Sequence, residues 1–195
     1  MTVSIISLMF AAVISDNIVL SQYQGICPFL GVSKKISSAA GMGFAVIFVM
    51  AISSVFTYLL YNYVLVPLEV GYLYTMAFIL VIASLVQITE MIVKRFSPTL
   101  YSALGVYLPL ITTNCAILGT AKALVVPQIY NFVYTFAISV ATGVGFLFAI
   151  VLLACVRLKT DRADIPKCFK GFPITLITAA IMAMAFAGFS GILAG

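Results

Sequence analysis

Long apolar runs separated by short polar stretches dominate this chain. A helix needs about 20 mostly apolar residues to cross a hydrocarbon core about 30 Å thick. By that measure the pattern predicts six membrane-spanning segments, at 3–31, 39–62, 71–93, 99–121, 129–155 and 172–194. No stretch is long or polar enough for a soluble domain. We therefore predict an all-α integral membrane protein with a single membrane domain over 1–195.

The first and fourth segments are interrupted by polar residues. Val3–Ile14 is twelve residues long, about 18 Å of helix and little more than half of the core, before Asp16 and Asn17 interrupt it. The fourth segment contains Pro109, which removes a helix hydrogen bond, and then reaches Thr112-Thr113-Asn114. Two broken helices in corresponding halves are typical of a membrane protein with a central site.

A short motif occurs once in each half of the chain. Cys27-Pro-Phe-Leu-Gly31 and Cys115-Ala-Ile-Leu-Gly119 share Cys-x-x-Leu-Gly, 88 residues apart. A weaker echo relates Gly41-x-Gly43 to Gly143-x-Gly145. Three segments in each half would invert the second half relative to the first. The pattern predicts a 3+3 inverted repeat with broken helices 1 and 4 and halves of about 1–97 and 98–195.

The composition supports the membrane class and the charges predict its orientation. Hydrophobic residues make up 64% and charged residues 8%, against about 45–50% and 25% in soluble proteins. The N-terminus lacks the basic residues of a cleaved signal peptide. Nine of the ten basic residues fall in the first, third and fifth loops, and the exception is Lys122. The net charge of +5 thus reports topology, not nucleic-acid binding, and it predicts cytoplasmic odd-numbered loops and external termini.

The cysteines are the main candidates for chemistry, because the chain has no histidine for haem or histidine-based metal sites. Cys27 and Cys115 could be small packing residues, a disulfide, or ligands of a metal. Thiolates favour zinc, Cu(I) or iron–sulfur clusters, and most such clusters take four thiolates. Two cysteines therefore predict two further ligands from a second subunit, although the residues themselves do not distinguish copper from iron. We interpret Cys155 and Cys168 as structural.

Several polar residues near the breaks are candidates for lining a site. Asp16 lies inside a predicted span, where acids are costly and often functional, and it could bind a cation or a proton or cap a half-helix. Thr112, Thr113 and Asn114 have small polar side chains that could satisfy freed backbone groups. Thr113, Asn114 and Asn17 could also line the site. Glu90 is the other acid inside a span and is interpreted as an i,i+4 partner of Lys94.

The residues around both motifs resemble a known family. Gly25–Lys35 and Leu108–Gly119, together with Gln87-Ile-Thr-Glu-Met91 and the last segment, resemble the RnfA/NqrE family of membrane subunits. The resemblance covers essentially the whole chain. Pro28 and Thr113 are closer to the RnfA pattern than to the NqrE pattern. Asp16 departs from the family, in which many RnfA chains carry Asn.

The resemblance implies a component of an ion-translocating ferredoxin:NAD oxidoreductase in the bacterial cytoplasmic (inner) membrane. Cys27 and Cys115 would supply two ligands of an intramembrane [2Fe-2S] cluster, and a homologous inverted RnfE-like subunit would supply two more. RnfB-, RnfC-, RnfD- and RnfG-like subunits would hold flavins, NAD and other iron–sulfur clusters. The chain would relay electrons coupled to Na⁺ or H⁺ translocation, would hold no complete active site and would bind no nucleic acid.

Three other functions remain open at this point. One is an NqrE-type subunit of a sodium-pumping NADH:quinone reductase. Another is a small secondary transporter, since such proteins also use inverted repeats and broken helices; Asp16, Asn17 and Asn114 would then bind substrate or ion. The third is a structural scaffold in which both cysteines are freely replaceable.

Overall fold

The chain folds into helices and connecting turns. The computed structural model describes residues 5–67, 71–96, 109–125, 131–164, 166 and 169–189, and no strand occurs within these ranges. The α-helices are α1 Ile5–Val13, α2 Ile26–Val32, α3 Ile36–Leu60, α4 Tyr74–Phe96, α5 Pro109–Thr112, α6 Cys115–Val125, α7 Phe132–Thr160 and α8 Phe172–Ala187. A π-helical turn, Tyr61–Leu65, extends α3, and a 3₁₀ turn, Gly71–Leu73, precedes α4. The predicted all-α class is confirmed.

Three continuous helical stretches are long and apolar enough to cross a membrane, namely Ile36–Leu65, Tyr74–Ile92 and Phe132–Thr160. They correspond to the second, third and fifth predicted segments. Cys115–Val125 and Phe172–Ala187 are apolar but shorter. The start of the predicted fourth segment and the end of the sixth lie outside the described residues, so the six-span arrangement stays a prediction.

The fifth segment ends later than predicted. The apolar pattern predicts an end at residue 155, but α7 continues to Thr160 and carries Arg157 and Lys159 in its last turn. Cations are favourable at a helix C-terminus because they interact with the exposed carbonyl groups there. The charged residues therefore extend the helix beyond the apolar run instead of ending it.

Asn17 organises the break in the first segment. Its side chain is fully buried, and its Nδ2 donates to the carbonyl oxygens of Val13 and Gly145, at 2.9 Å in each case. Its Oδ1 accepts the backbone N–H of Val19 at 3.1 Å. Because Gly145 lies near the middle of the 29-residue α7, these bonds place the break near the mid-depth of the bundle.

Helices α3 and α7 form the centre of the bundle, with α1 packed on α7 and α6 packed on α3. Two glycines allow the close approach. A Cβ at Gly43 would collide with Leu147, and one at Gly143 would lie 3.0 Å from the Ile47 backbone. Small residues at such crossings are typical of membrane helix packing. The core includes Met42, Val46, Phe146, Ile150 and Leu153.

The C-terminal end of α2 and the last turn of α7 meet at one end of the bundle. Arg157 Nη1 donates to the carbonyl oxygen of Leu30 at 3.2 Å and to Ser33 Oγ at 3.1 Å. Near the other end of α3, the Lys122 ammonium lies 5.9 Å from the centroid of the Tyr74 ring. This arrangement agrees with the predicted separation of Lys122 from the other basic residues, while the membrane side that each end faces stays a prediction.

Candidate functional site

The two helix breaks come together at Gly25 and Cys115. The backbone N–H of Gly25 donates to Cys115 Sγ, with 3.0 Å between nitrogen and sulfur, across 90 residues of sequence. Gly25 itself is buried. The contact joins the residue before α2 to the first residue of α6, which are the helices that carry the two Cys-x-x-Leu-Gly motifs.

Gly25 is required at this position by backbone and by space. Its φ is +77° and its ψ is 23°, a left-handed conformation that glycine adopts readily and other residues avoid. A Cβ there would lie 3.0 Å from a ring carbon of Phe146, 3.1 Å from Ala116 Cβ and 3.1 Å from Asn114 Oδ1. The sequence shows this glycine, but the thiol that it contacts becomes visible only in the fold.

The two motif cysteines are exposed free thiols. Cys27 is the second residue of α2 and Cys115 the first residue of α6, and neither is in a disulfide. Their side chains are therefore accessible to a ligand or to a second protein chain. Cys155 is also a free, exposed thiol and lies near the end of α7. Cys168 is outside the described residues.

Asn114 caps the helix that begins with Cys115. Its Oδ1 accepts the backbone N–H of Ala116 at 3.1 Å, as N-cap residues do, and the side chain is 5% exposed. Its Nδ2 is buried and has no hydrogen-bond partner among the described residues. The predicted backbone role of Asn114 is confirmed, and a buried donor remains beside the thiol.

An open pocket of about 400 Å³ adjoins Cys115. Thr113 is exposed and lies on its wall. The lining residues are Ile79, Ile82, Ala83, Gln87, Thr113, Asn114, Cys115 and Leu118. The pocket thus gives the Cys115 side of the site a mixed polar and apolar wall formed mainly by α4 and α6.

The sequence does not reveal that Gln24 packs against Gly119. Its amide fills the space over Gly119, so a Cβ at Gly119 would collide with it. Gln24 Oε1 is buried without a hydrogen-bond partner in the described part of the chain. The glycine of the second motif is therefore explained by a side chain from the first break.

The predicted site residues separate into two groups. Cys115 and Asn114 lie together with Gly25, which shortly precedes Cys27. Asp16 instead lines a small cavity with Gln22, Thr120 and Thr142, and its Oδ1 accepts a hydrogen bond from Gln22 Nε2 at 3.0 Å. Within the described ranges, no three or more Cys, Asp or Glu side chains gather as a metal-binding group.

Comparison with known proteins decides the family. A family model described as "Rnf-Nqr subunit, membrane protein" matches residues 5–193. The chain belongs to the Rnf-Nqr family. The resemblance that the two cysteine motifs carry therefore holds over nearly the whole chain.

Individual relatives within the Rnf-Nqr family are close, and three of them are A-type components of redox complexes. The one from the "Na(+)-translocating ferredoxin:NAD(+) oxidoreductase complex" of Acetobacterium woodii is 53% identical over 192 residues, covering 98% of this chain and all of the relative. The one from the "Ion-translocating oxidoreductase complex" of Syntrophotalea carbinolica is 48% identical over 98% of this chain and 99% of its own length. Its counterpart from Aliivibrio salmonicida is 49% identical over 95% of both chains.

Proposed function

We propose that this chain is the A-type membrane component of an ion-translocating ferredoxin:NAD⁺ oxidoreductase and that it relays electrons through an intramembrane [2Fe-2S] cluster. The observation that carries the proposal is the hydrogen bond from Gly25 N–H to Cys115 Sγ, which joins two helix breaks beside exposed thiols. The names of the relatives support the complex. They favour the ferredoxin-type complex over two alternatives, a separate secondary transporter and an NqrE-type subunit.

The described residues fit half of a cluster site. Cys27 and Cys115 would each supply one thiolate ligand to iron. A homologous inverted subunit of the RnfE type would supply the other two thiolates. Ligation across an interface requires thiols at the surface of this chain, and both are exposed. When bound, the cluster would supply one-electron transfer. The chain itself holds no complete active site, so substrate oxidation and reduction belong to other subunits.

Two donors in this chain are suited to a negatively charged sulfur site. Gly25 N–H already donates to Cys115 Sγ, and Asn114 Nδ2 is a buried donor without a partner among the described residues. Hydrogen bonds to ligand sulfur stabilise the more negative, reduced form and raise the reduction potential. We infer that Gly25 and Asn114 adjust the potential of the Cys115 side of the cluster.

The site would lie within the membrane. The ring of Phe146, a fully buried residue near the middle of α7, would be 3.0 Å from a Cβ at Gly25. α7 is long enough to span the hydrocarbon core. A cluster at this depth would carry electrons between cofactors on opposite faces.

An inverted repeat accounts for the geometry of the bundle centre. Gly43 faces Leu147, and Gly143 faces Ile47, so each glycine receives the residue four positions after the other. This reciprocity is what a two-fold axis between α3 and α7 produces. It supports an inverted repeat in which Gly43 corresponds to Gly143, whereas the sequence echo pairs Gly43 with Gly145. In halves of about 1–97 and 98–195, Cys27 and Cys115 would occupy equivalent positions.

The proposed complex defines the partners and the location. It comprises an RnfE-like inverted homologue and RnfB-, RnfC-, RnfD- and RnfG-like subunits, which hold the flavins, NAD and remaining iron–sulfur clusters. This chain lies in the bacterial cytoplasmic membrane with both termini outside, surrounded by lipid and partner subunits. The coupled ion is Na⁺ or H⁺.

Low-temperature EPR on the reduced, purified complex tests the relay. Cys27→Ala and Cys115→Ala are compared with wild type and with Cys155→Ala, which removes another exposed thiol on α7. All samples are matched for subunit content and total protein. We expect one [2Fe-2S] signal, with its share of the iron, to disappear in the first two variants and to persist in the control. Retention of every signal and of full ferredoxin:NAD⁺ electron transfer in both variants would overturn the proposal.

A further inference from the structure

A second polar cavity lies apart from the thiols, around Asp16. It has a volume of about 90 Å³, and its polar lining consists of Asp16, Gln22, Thr120 and Thr142 among aliphatic side chains. The four residues come from the first break, α6 and α7. No local sequence pattern relates them, and the relay described above uses none of them.

The cavity presents oxygen acceptors. Thr120 Oγ1 donates its proton to the carbonyl oxygen of Ala116 and Thr142 Oγ1 donates to that of Ile138, each at 2.8 Å. Both hydroxyls are therefore left with lone pairs only, since a hydroxyl has a single proton to donate. The nearby carboxylate of Asp16 adds acceptor oxygens and a negative charge. Such a lining favours a cation over an anion.

Asp16 is exposed on the surface of this chain, at the mouth of the cavity. It precedes Asn17, whose amide binds the Gly145 carbonyl near the middle of α7, and an ionised carboxylate in the hydrocarbon region is costly unless compensated. Its carboxylate accepts a hydrogen bond from the neutral side-chain amide of Gln22. Lys122 lies over the Tyr74 ring and Arg157 donates to Ser33 Oγ, and neither of these contacts involves Asp16.

The oxygen lining continues inward through Thr120. This residue also borders a space of about 10 Å³ together with Ser53, Ser54 and Ser139, about the volume that one water needs. Ser53 is 1% exposed, and its Oγ has no hydrogen-bond partner within the described ranges. An unpaired buried hydroxyl costs free energy, so a water or ion that binds there would satisfy it.

We propose that the Asp16–Thr120–Thr142 cavity binds a hard monovalent cation, either Na⁺ or hydronium, and passes it toward the Ser53 hydroxyl. A single carboxylate with neutral oxygens matches one positive charge, whereas divalent-cation sites usually combine several carboxylates and carbonyls. The inference rests on the proposed function, because it assigns the ion of that complex a site in this chain. It predicts that the Thr120 and Thr142 hydroxyls and the Asp16 carboxylate determine the affinity for the ion. Changing them should leave the EPR signal of the cluster unaltered.

The test uses the whole complex in proteoliposomes, with ferredoxin-driven ²²Na⁺ uptake measured over a range of NaCl, with choline chloride as the replacement salt. Thr120→Val and Thr142→Val remove one hydroxyl each at nearly constant volume, and Asp16→Asn removes the charge. Thr178→Val is the matched control, because its Oγ1 makes the same i−4 bond, to Ile174 at 2.8 Å, on α8. We expect the half-saturating Na⁺ concentration to rise about tenfold in the first three variants and to stay at the wild-type value in the control.

A second readout identifies hydronium. If wild-type transport does not depend on Na⁺, proton uptake is followed in sodium-free medium, and the site is supported when the pH for half-maximal uptake shifts in Asp16→Asn and Thr142→Val but not in Thr178→Val. The proposal is overturned if the cavity variants keep wild-type dependence on both ions. The EPR spectrum is recorded on the same samples, because an unchanged cluster signal separates failure of the cation site from failure of the electron relay.

Discussion

Replacing Gly25 with alanine should disturb the Cys115 side of the site through both backbone strain and overpacking. Alanine in a left-handed conformation costs about 1–2 kcal/mol. The added Cβ would meet Phe146, Ala116 and Asn114 at 3.0–3.1 Å, closer than the roughly 3.5–4.0 Å of an optimal carbon contact. Overpacking of this kind costs about 1–3 kcal/mol. The expected destabilisation is therefore about 2–5 kcal/mol.

The same substitution should alter the redox potential. Relief of the close contacts would move the backbone away from Cys115 and lengthen the 3.0 Å Gly25 N–H···Sγ bond. If the reduced cluster loses about 1 kcal/mol of hydrogen-bond stabilisation, the potential of a one-electron couple falls by about 40 mV. EPR-monitored redox titration measures the potential, and thermal unfolding of the purified complex measures the stability.

Gly171→Ala is the matched control for both measurements. Gly171 also has a positive φ, +95°, but no atom lies within 4 Å of the position that its Cβ would take. It therefore carries a backbone penalty without the packing conflict or a thiol contact. If Gly25→Ala left the potential unchanged and lowered the melting temperature no more than Gly171→Ala does, the reasoning from the Gly25 contacts would be refuted.

Three further substitutions test the supports of the site. Gly119→Ala should reduce the amount of assembled complex because its Cβ collides with the Gln24 amide, and Gln24→Ala in the same chain should restore part of the loss. Additive effects of the two substitutions in a double-mutant cycle would contradict this contact. Arg157→Gln removes the bonds to the C-terminal end of α2 and should lower the stability of the complex by about 1–3 kcal/mol in denaturant titrations. Lys159→Gln is the control and should leave the stability unchanged. Asn17→Leu should lower the stability by about 2–3 kcal/mol in denaturant titrations, because it leaves the buried Gly145 carbonyl without its partner; a loss below about 0.5 kcal/mol, the low end for a single hydrogen bond, would argue against that role.

The sequence by itself determined the class, the helix breaks and the candidate ligands. Long apolar runs have few stable structures other than membrane helices, and polar residues such as Asn17 and Asn114 mark the places where these runs are interrupted. The two cysteine motifs indicated the family, which the match over residues 5–193 shows. Apolar content alone predicts too early an end for α7, because it does not include the stabilisation of the helix terminus by Arg157 and Lys159.

The tertiary structure decided which of these residues meet. Gly25 and Cys115 are 90 positions apart and Asn17 and Gly145 are 128 apart, and helical periodicity carries no information on contacts between distant segments. Thr120 and Thr142 each appear in sequence as ordinary helix residues that bond to their own backbone. Only the packing of the first break against α6 and α7 places their oxygen atoms around one cavity with Asp16, because that cavity exists only where the three segments meet.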